Sequence, residues 1–182
     1  IKTPQGTQWL TVPVLAKGKY HQKVRETVID GNELAATHWK SLTQNYRRAS
    51  HFKEISIWLE PLYLEENYSH ISQLNRRLIE AICNYLGIQT IIKNSWDYQL
   101  VDGKTERLTN LCIQAGGTEY ISGPAAKEYI DEKKFLDLGI QVTWFDYSGY
   151  TEYPQLWGKF THGVTILDLL FNCGKDSSRH MR

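Results

Sequence analysis

Apolar residues recur at helical spacing along much of the chain. Between residues 31 and 49, Leu34, Ala35, His38, Leu42, Tyr46 and Ala49 share one face. Asp30 and Glu33 precede them in capping-box spacing, and Arg47 and Arg48 sit where cations complement a helix dipole. A second helix is expected from residue 52 to about residue 65, bent at Pro61, with Ile55, Leu59 and Leu62 inward. In the third, Ser69 caps Ile71, Leu74, Leu78, Ile82 and Leu86, and Gly87 ends it. Residues 105–115 carry Leu108, Leu111, Cys112 and Ala115 on one face before Gly116 and Gly117, and residues 164–174 form a last apolar helix.

Strand patterns alternate with these helices. Residues 9–14 and 23–30 predict an N-terminal hairpin turning near Gly18, with Pro13 pushing the first strand to an edge. Residues 88–93, 120–122 and 140–145 are short apolar runs separated by helices, the second helix running from Pro124 to about residue 138. Right-handed crossovers lay those three strands parallel. The expected fold is therefore a single α/β domain over residues 1–182, with a three-layer parallel sheet. Its parts are a hairpin (1–30), a helical cover (31–87), a βαβαβ core (88–146), a lid loop with the C-terminal helix (147–174) and a loose tail (175–182).

Ligands of such sheets bind at the carboxyl ends of the strands. At that rim stands Ser122-Gly123-Pro124, where a strand runs into a helix whose first N–H groups and dipole form an anion site. Thr105 and Arg107 open the preceding helix, and Arg107 is misplaced by its dipole unless it faces an anion or a carboxylate such as Asp146. Substrate contacts are expected from Thr105, Arg107, Ser122 and Gly123, joined by Tyr153 and Gln155 on a loop after Asp146 hinged at Gly149 and Gly158. Asp146 and His38 are the candidate proton acceptors. Asp168 interrupts the apolar run 166–171 and is expected to be structural, hydrogen-bonded to backbone or a basic partner.

Composition narrows the classes. Twenty-one Lys and Arg balance 20 Asp and Glu, a net charge of +1, which calls for neither nucleic acid nor an anionic membrane. Three scattered cysteines argue against a disulfide framework and for a reducing, cytoplasmic setting. No apolar run reaches the ~20 residues of a membrane span. Six Trp and eleven Tyr suit a large-side-chain core or a pocket. The chain has no GxGxxG, Walker A, HExxH or paired CxxC motif, so no metal is expected and no cofactor is implied.

Taken together and in order, WLTVPV (9–14), YISGPAA (120–126), YPQ (153–155) and ILDLLFNCG (166–174) resemble the WbqC-like family of bacterial proteins. The resemblance spans nearly the whole chain and carries Ser122, Gly123, Tyr153, Gln155 and Asp168 as motif positions. It implies a place among genes for O-antigen and other surface polysaccharides, and for some members a glycine transferase role. It also implies a further strand and a Gln-Pro-rich loop with an acidic pair ahead of Ile1, so that an N-terminally truncated domain is expected. The activity expected is transfer of a small acyl or aminoacyl group, glycyl included, on a nucleotide-activated sugar. The alternatives are a nucleotidyltransferase-like enzyme and a non-catalytic scaffold of a polysaccharide assembly complex.

Overall fold

The computed structural model describes residues 1–31 and 33–181. In chain order the elements are β1 (Lys2–Thr3), β2 (Gly6–Thr7), α1 (Leu34–Tyr46), α2 (Phe52–Leu64), α3 (Ile71–Leu86), α4 (Lys104–Gln114), β3 (Glu119–Ser122), α5 (Glu132–Leu136), β4 (Gln141–Trp144) and α6 (Ile166–Cys173). The chain divides into two compact units, one built from Ile1–Gln89 and from Tyr150 onward, the other from Thr90–Gly149. Helices and two small two-stranded sheets make up the regular structure among the described residues.

In the first unit, α1, α2 and α3 bury one apolar stripe each, as their spacing predicts, whereas α6 is buried on nearly all sides. Leu42, Tyr46, Ile55, Leu59, Leu170 and Phe171 are fully buried at the centre. Tyr46 stacks on Phe171 with ring centroids 5.0 Å apart, and Phe52 meets the same ring at 5.2 Å. α2 continues through Pro61 to Leu64; the missing N–H falls opposite Ile57, whose side chain is on the exposed face. α3 is capped one residue later than expected. Gln73 reaches back to accept the backbone N–H groups of Ser69 and His70 at 3.1 and 3.2 Å. Gly87 then ends the helix in the left-handed region at φ 72°.

The N-terminal hairpin is smaller than expected. Residues 9–14 and 23–30 meet antiparallel only at the Val14–Ile29 bridge, with Asp30 N–H donating to the Pro13 carbonyl at 2.9 Å. Pro13 has no N–H to extend the ladder, and a 3-10 turn at Val24–Glu26 breaks the second strand. The regular hairpin is β1–β2, ahead of both. The C-terminal tail is not loose. Gly174–His180 form a 3-10 segment in which Ser177 is fully buried, and Lys175 Nζ donates to the Tyr85 carbonyl at 2.7 Å over the Tyr85 ring.

The second unit corrects the expected three-stranded sheet. β3 and β4 pair parallel, Ser122 opposite Trp144, but residues 88–93 form no strand. Ile91 is 81% exposed there: an apolar run becomes a strand only where a neighbour covers its faces. The helix expected from Pro124 to residue 138 is also divided. A 3-10 segment, Pro124–Glu128, gives way to α5, because Asp131 accepts the Lys133 N–H at 3.1 Å and starts a new helix. Phe135 of α5 is fully buried against Tyr120 of β3, centroids 5.1 Å apart.

Two glycines test this account. A Cβ at Gly87 meets open space, so Gly87→Ala is expected to cost only the left-handed penalty of about 1–2 kcal/mol. Gly174 (φ 55°) would in addition drive its Cβ into the His51 ring, so Gly174→Ala is expected to be the more damaging. Urea denaturation of the two variants checks the order.

Candidate functional site

A buried polar ring runs through the first unit. Asp168, in the first turn of α6, has no exposed surface. Its Oδ2 accepts the Tyr46 hydroxyl at 2.7 Å and its Oδ1 the Tyr153 hydroxyl at 2.9 Å, with Asn172 donating to Oδ1 at 3.3 Å. Tyr46 oxygen accepts the Lys2 backbone N–H at 2.8 Å. Tyr153 oxygen accepts Gln155 Nε2 at 3.2 Å, and Gln155 Oε1 accepts Lys2 Nζ at 2.6 Å, which closes the ring at Lys2. Burial pushes both phenols well above the usual tyrosine range, and the Asp168 charge adds to it; at Tyr46 the Lys2 N–H opposes the shift. Among the described residues, the hydrogen-bond partners of the Asp168 carboxylate are thus two tyrosines and an amide rather than backbone or a cation.

Tyr153 and Gln155 commit their polar atoms to this ring and to the Thr161 backbone. Trp157, at φ 68°, donates its indole N–H to the Asn45 carbonyl of α1 at 2.9 Å. The segment expected to act as a lid is therefore pinned by its aromatics from Tyr153 to Trp157.

Beside the ring lies a cavity of about 510 Å³. Its wall includes Gln8, Trp9, His38, Tyr63, Asn75 and Thr165, the last being the N-cap of α6. Among the described residues, none of the lining side chains is Lys, Arg, Asp or Glu. His38 is buried on α1, and its Nε2 donates to the Thr11 carbonyl at 3.0 Å. That bond assigns the ring proton to Nε2 and leaves Nδ1 of the neutral imidazole with a free lone pair. Of the residues named from sequence for proton transfer, His38 is in this cavity wall.

Thr105, Arg107, Ser122, Gly123 and Asp146 belong to the second unit. Thr105 Oγ donates to the Tyr129 carbonyl and accepts the Asp131 N–H, which ties the start of α4 to the chain leaving β3. Arg107 Nε donates to the Val101 carbonyl at 3.1 Å. Gly123 has an ordinary extended backbone (φ −70°, ψ 152°), so space rather than a left-handed bend explains it: a Cβ there would stand 3.1 Å from the Tyr147 hydroxyl. The 3-10 segment after it is too short to build the helix dipole on which the expected anion site rested. Asp146 accepts the backbone N–H and hydroxyl of Ser148 at 2.8 and 2.9 Å.

Lys2, Tyr46, Tyr63 and the cavity wall apart from His38 were not singled out from sequence as site residues. The available signal was tyrosine on an apolar helical stripe, since a buried hydroxyl requires a partner. Burial raises the thiols of Cys112 and Cys173, which disfavours either as a thiolate nucleophile. Among the described residues no three His, Cys, Asp or Glu gather as a metal site, and no helix is long and apolar enough to cross a membrane.

Fold and site define a mixed helix-and-sheet protein with a ligand-sized cavity and an adjoining buried polar ring. Residues 1–180 match the WbqC-like protein family, and the chain belongs to that family. It is similar to the uncharacterized protein Rv1507c of Mycobacterium tuberculosis (strain ATCC 25618 / H37Rv), 60% identical over 182 residues, which are 100% of this chain and 79% of that protein. No solved structure matches.

Removing the acceptor of the ring strands its donors. Asp168→Ala is expected to lower stability by about 2–5 kcal/mol through two unanswered tyrosine hydroxyls, and Tyr153→Phe by about 1 kcal/mol. Denaturant midpoints at constant slope check both, and equal effects would refute the hub role of Asp168.

Proposed function

We propose that this protein is a transferase of surface-polysaccharide assembly that moves a small acyl or aminoacyl group, such as glycyl, onto a nucleotide-activated sugar. Membership of the WbqC-like family supports the setting. The observation that carries the chemistry is His38, held by Thr11 in the tautomer of a proton acceptor in the wall of a ligand-sized cavity. An amine or hydroxyl of the sugar attacks the carbonyl carbon of an activated acyl donor. Nδ1 of His38 takes the proton as the new bond forms, and the donor's leaving group departs with the electron pair of the broken bond. Free cysteines fit a reducing, cytoplasmic site of action.

The scaffold reading is favoured by Trp9 and Tyr20, which are 95% and 91% exposed. Incubation with amino-sugar nucleotides and activated glycyl and acyl donors, read by mass spectrometry, separates the two. Transfer is expected, falling about 10²–10⁴-fold in His38→Asn. No transfer from any donor, with none of the ~2.7 kcal/mol stabilisation due at 100 times a dissociation constant, would leave the scaffold.

A further inference from the structure

Tyr63 carries a hydroxyl in the wall of the cavity that no protein group among the described residues bonds. It sits on α2 at 6% exposure, with its ring 6.0 Å from that of His38 and 6.3 Å from Trp39. Its hydroxyl has no hydrogen-bond partner among the described residues. Burial alone pushes the phenol up to about 12, so it stays protonated and able to donate and accept at neutral pH. Tyr46, fully buried in the same unit, and the half-buried Tyr153 both have their hydroxyls bonded. Unlike the sealed and unbonded atoms of Gln22, Thr43 and Trp58, the Tyr63 hydroxyl is not closed off from solvent, so it is available to a ligand.

The position of that hydroxyl is informative. Tyr63 and Leu74 line both the 510 Å³ cavity and a second cavity of about 250 Å³, and so form a wall common to the two. The larger cavity offers hydroxyls and amides from Thr7, Gln8, Asn75 and Thr165, an aromatic face from the exposed Trp9 and, among the described residues, no Lys, Arg, Asp or Glu side chain. A phosphate or carboxylate placed there would lose its water without gaining a side-chain counter-charge. A neutral ring rich in hydroxyls would meet polar partners along its edge and an aromatic surface on its apolar face.

We propose that this cavity holds an uncharged, hydroxyl-bearing sugar ring and that Tyr63 recognises it by a direct hydrogen bond. The assignment rests on the transferase reading only in taking the cavity as the substrate site. It names which part of a nucleotide-activated sugar enters: the sugar, with the diphosphate outside this cavity. Site discrimination then comes from the bond, because a site built to pair a ligand hydroxyl loses that pairing when either partner lacks its oxygen.

The test removes one oxygen. Binding to the full chain is measured by saturation-transfer NMR with methyl glycosides of glucose, galactose and N-acetylglucosamine, with glucuronic acid and with uridine diphosphate. At least one neutral glycoside is expected to bind, and Tyr63→Phe to weaken it about tenfold. The same variant should melt close to the wild-type temperature without ligand, because the hydroxyl it deletes bonds no group of the fold among the described residues. Equal binding by Tyr63→Phe, binding by none of the neutral glycosides, or binding confined to the uronate or the diphosphate would overturn the proposal. The transferase reading fails separately: glycoside binding that depends on Tyr63, with no group transferred, sinks only that reading. Transfer that is indifferent to Tyr63→Phe sinks only this one.

Discussion

A carboxylate with no exposed surface is tolerated only when hydrogen bonds replace its water, and Asp168 meets that condition with Tyr46, Tyr153 and Asn172. The ring draws separate parts of the first unit together. Tyr46 is the last residue of α1, Tyr153 and Gln155 belong to the loop ahead of α6, and Lys2 belongs to β1. The ring is therefore a fastening among segments that apolar packing alone would leave free to slide. Its consequences extend beyond its members, since a loop held at Tyr153 and Gln155 also accepts the left-handed backbone at Trp157 that lets the indole reach α1.

The cavity depends on the same fastening. Ile1 and Leu167 line it, and their chain neighbours Lys2 and Asp168 are in the ring. Thr165, also in the wall, caps α6 by accepting the Leu167 N–H. The wall on that side is thus fixed by bonds facing away from the cavity, and His38 is fixed from its own side by Thr11. Such an arrangement leaves the cavity preformed, which is what a binding site needs if ordering is not to consume the affinity it provides.

The helices of the first unit were legible because their apolar spacing, caps and stops agree, as at Leu74 to Gly87 in α3. Strand assignments failed where a run had hydrophobicity but no partner. Ile91 has nothing to cover it, and Pro13 cannot extend a ladder. Within the site, His38, Tyr153, Gln155 and Asp168 were visible as polar residues in apolar or motif surroundings. Which of them meet was not, because the ring joins residues 44, 122 and 153 positions apart. Tyr63 gave no sign at all: on the stripe of α2 it reads as core, and only its unanswered hydroxyl distinguishes it.

The division of the chain also bears on how the protein is made. The second unit is one continuous stretch, Thr90–Gly149, whereas the first is completed only by residues that follow it. On the ribosome, α1, α2 and α3 emerge with their inward faces bare, since Leu170 and Phe171 are more than a hundred residues behind Leu42 and Tyr46. At ~5–20 residues per second that interval lasts on the order of ten seconds. The second unit has its whole sequence during that time, so nascent chains of this protein carry a finished insert inside an unfinished host. The apolar surface of that host is what a chaperone would meet.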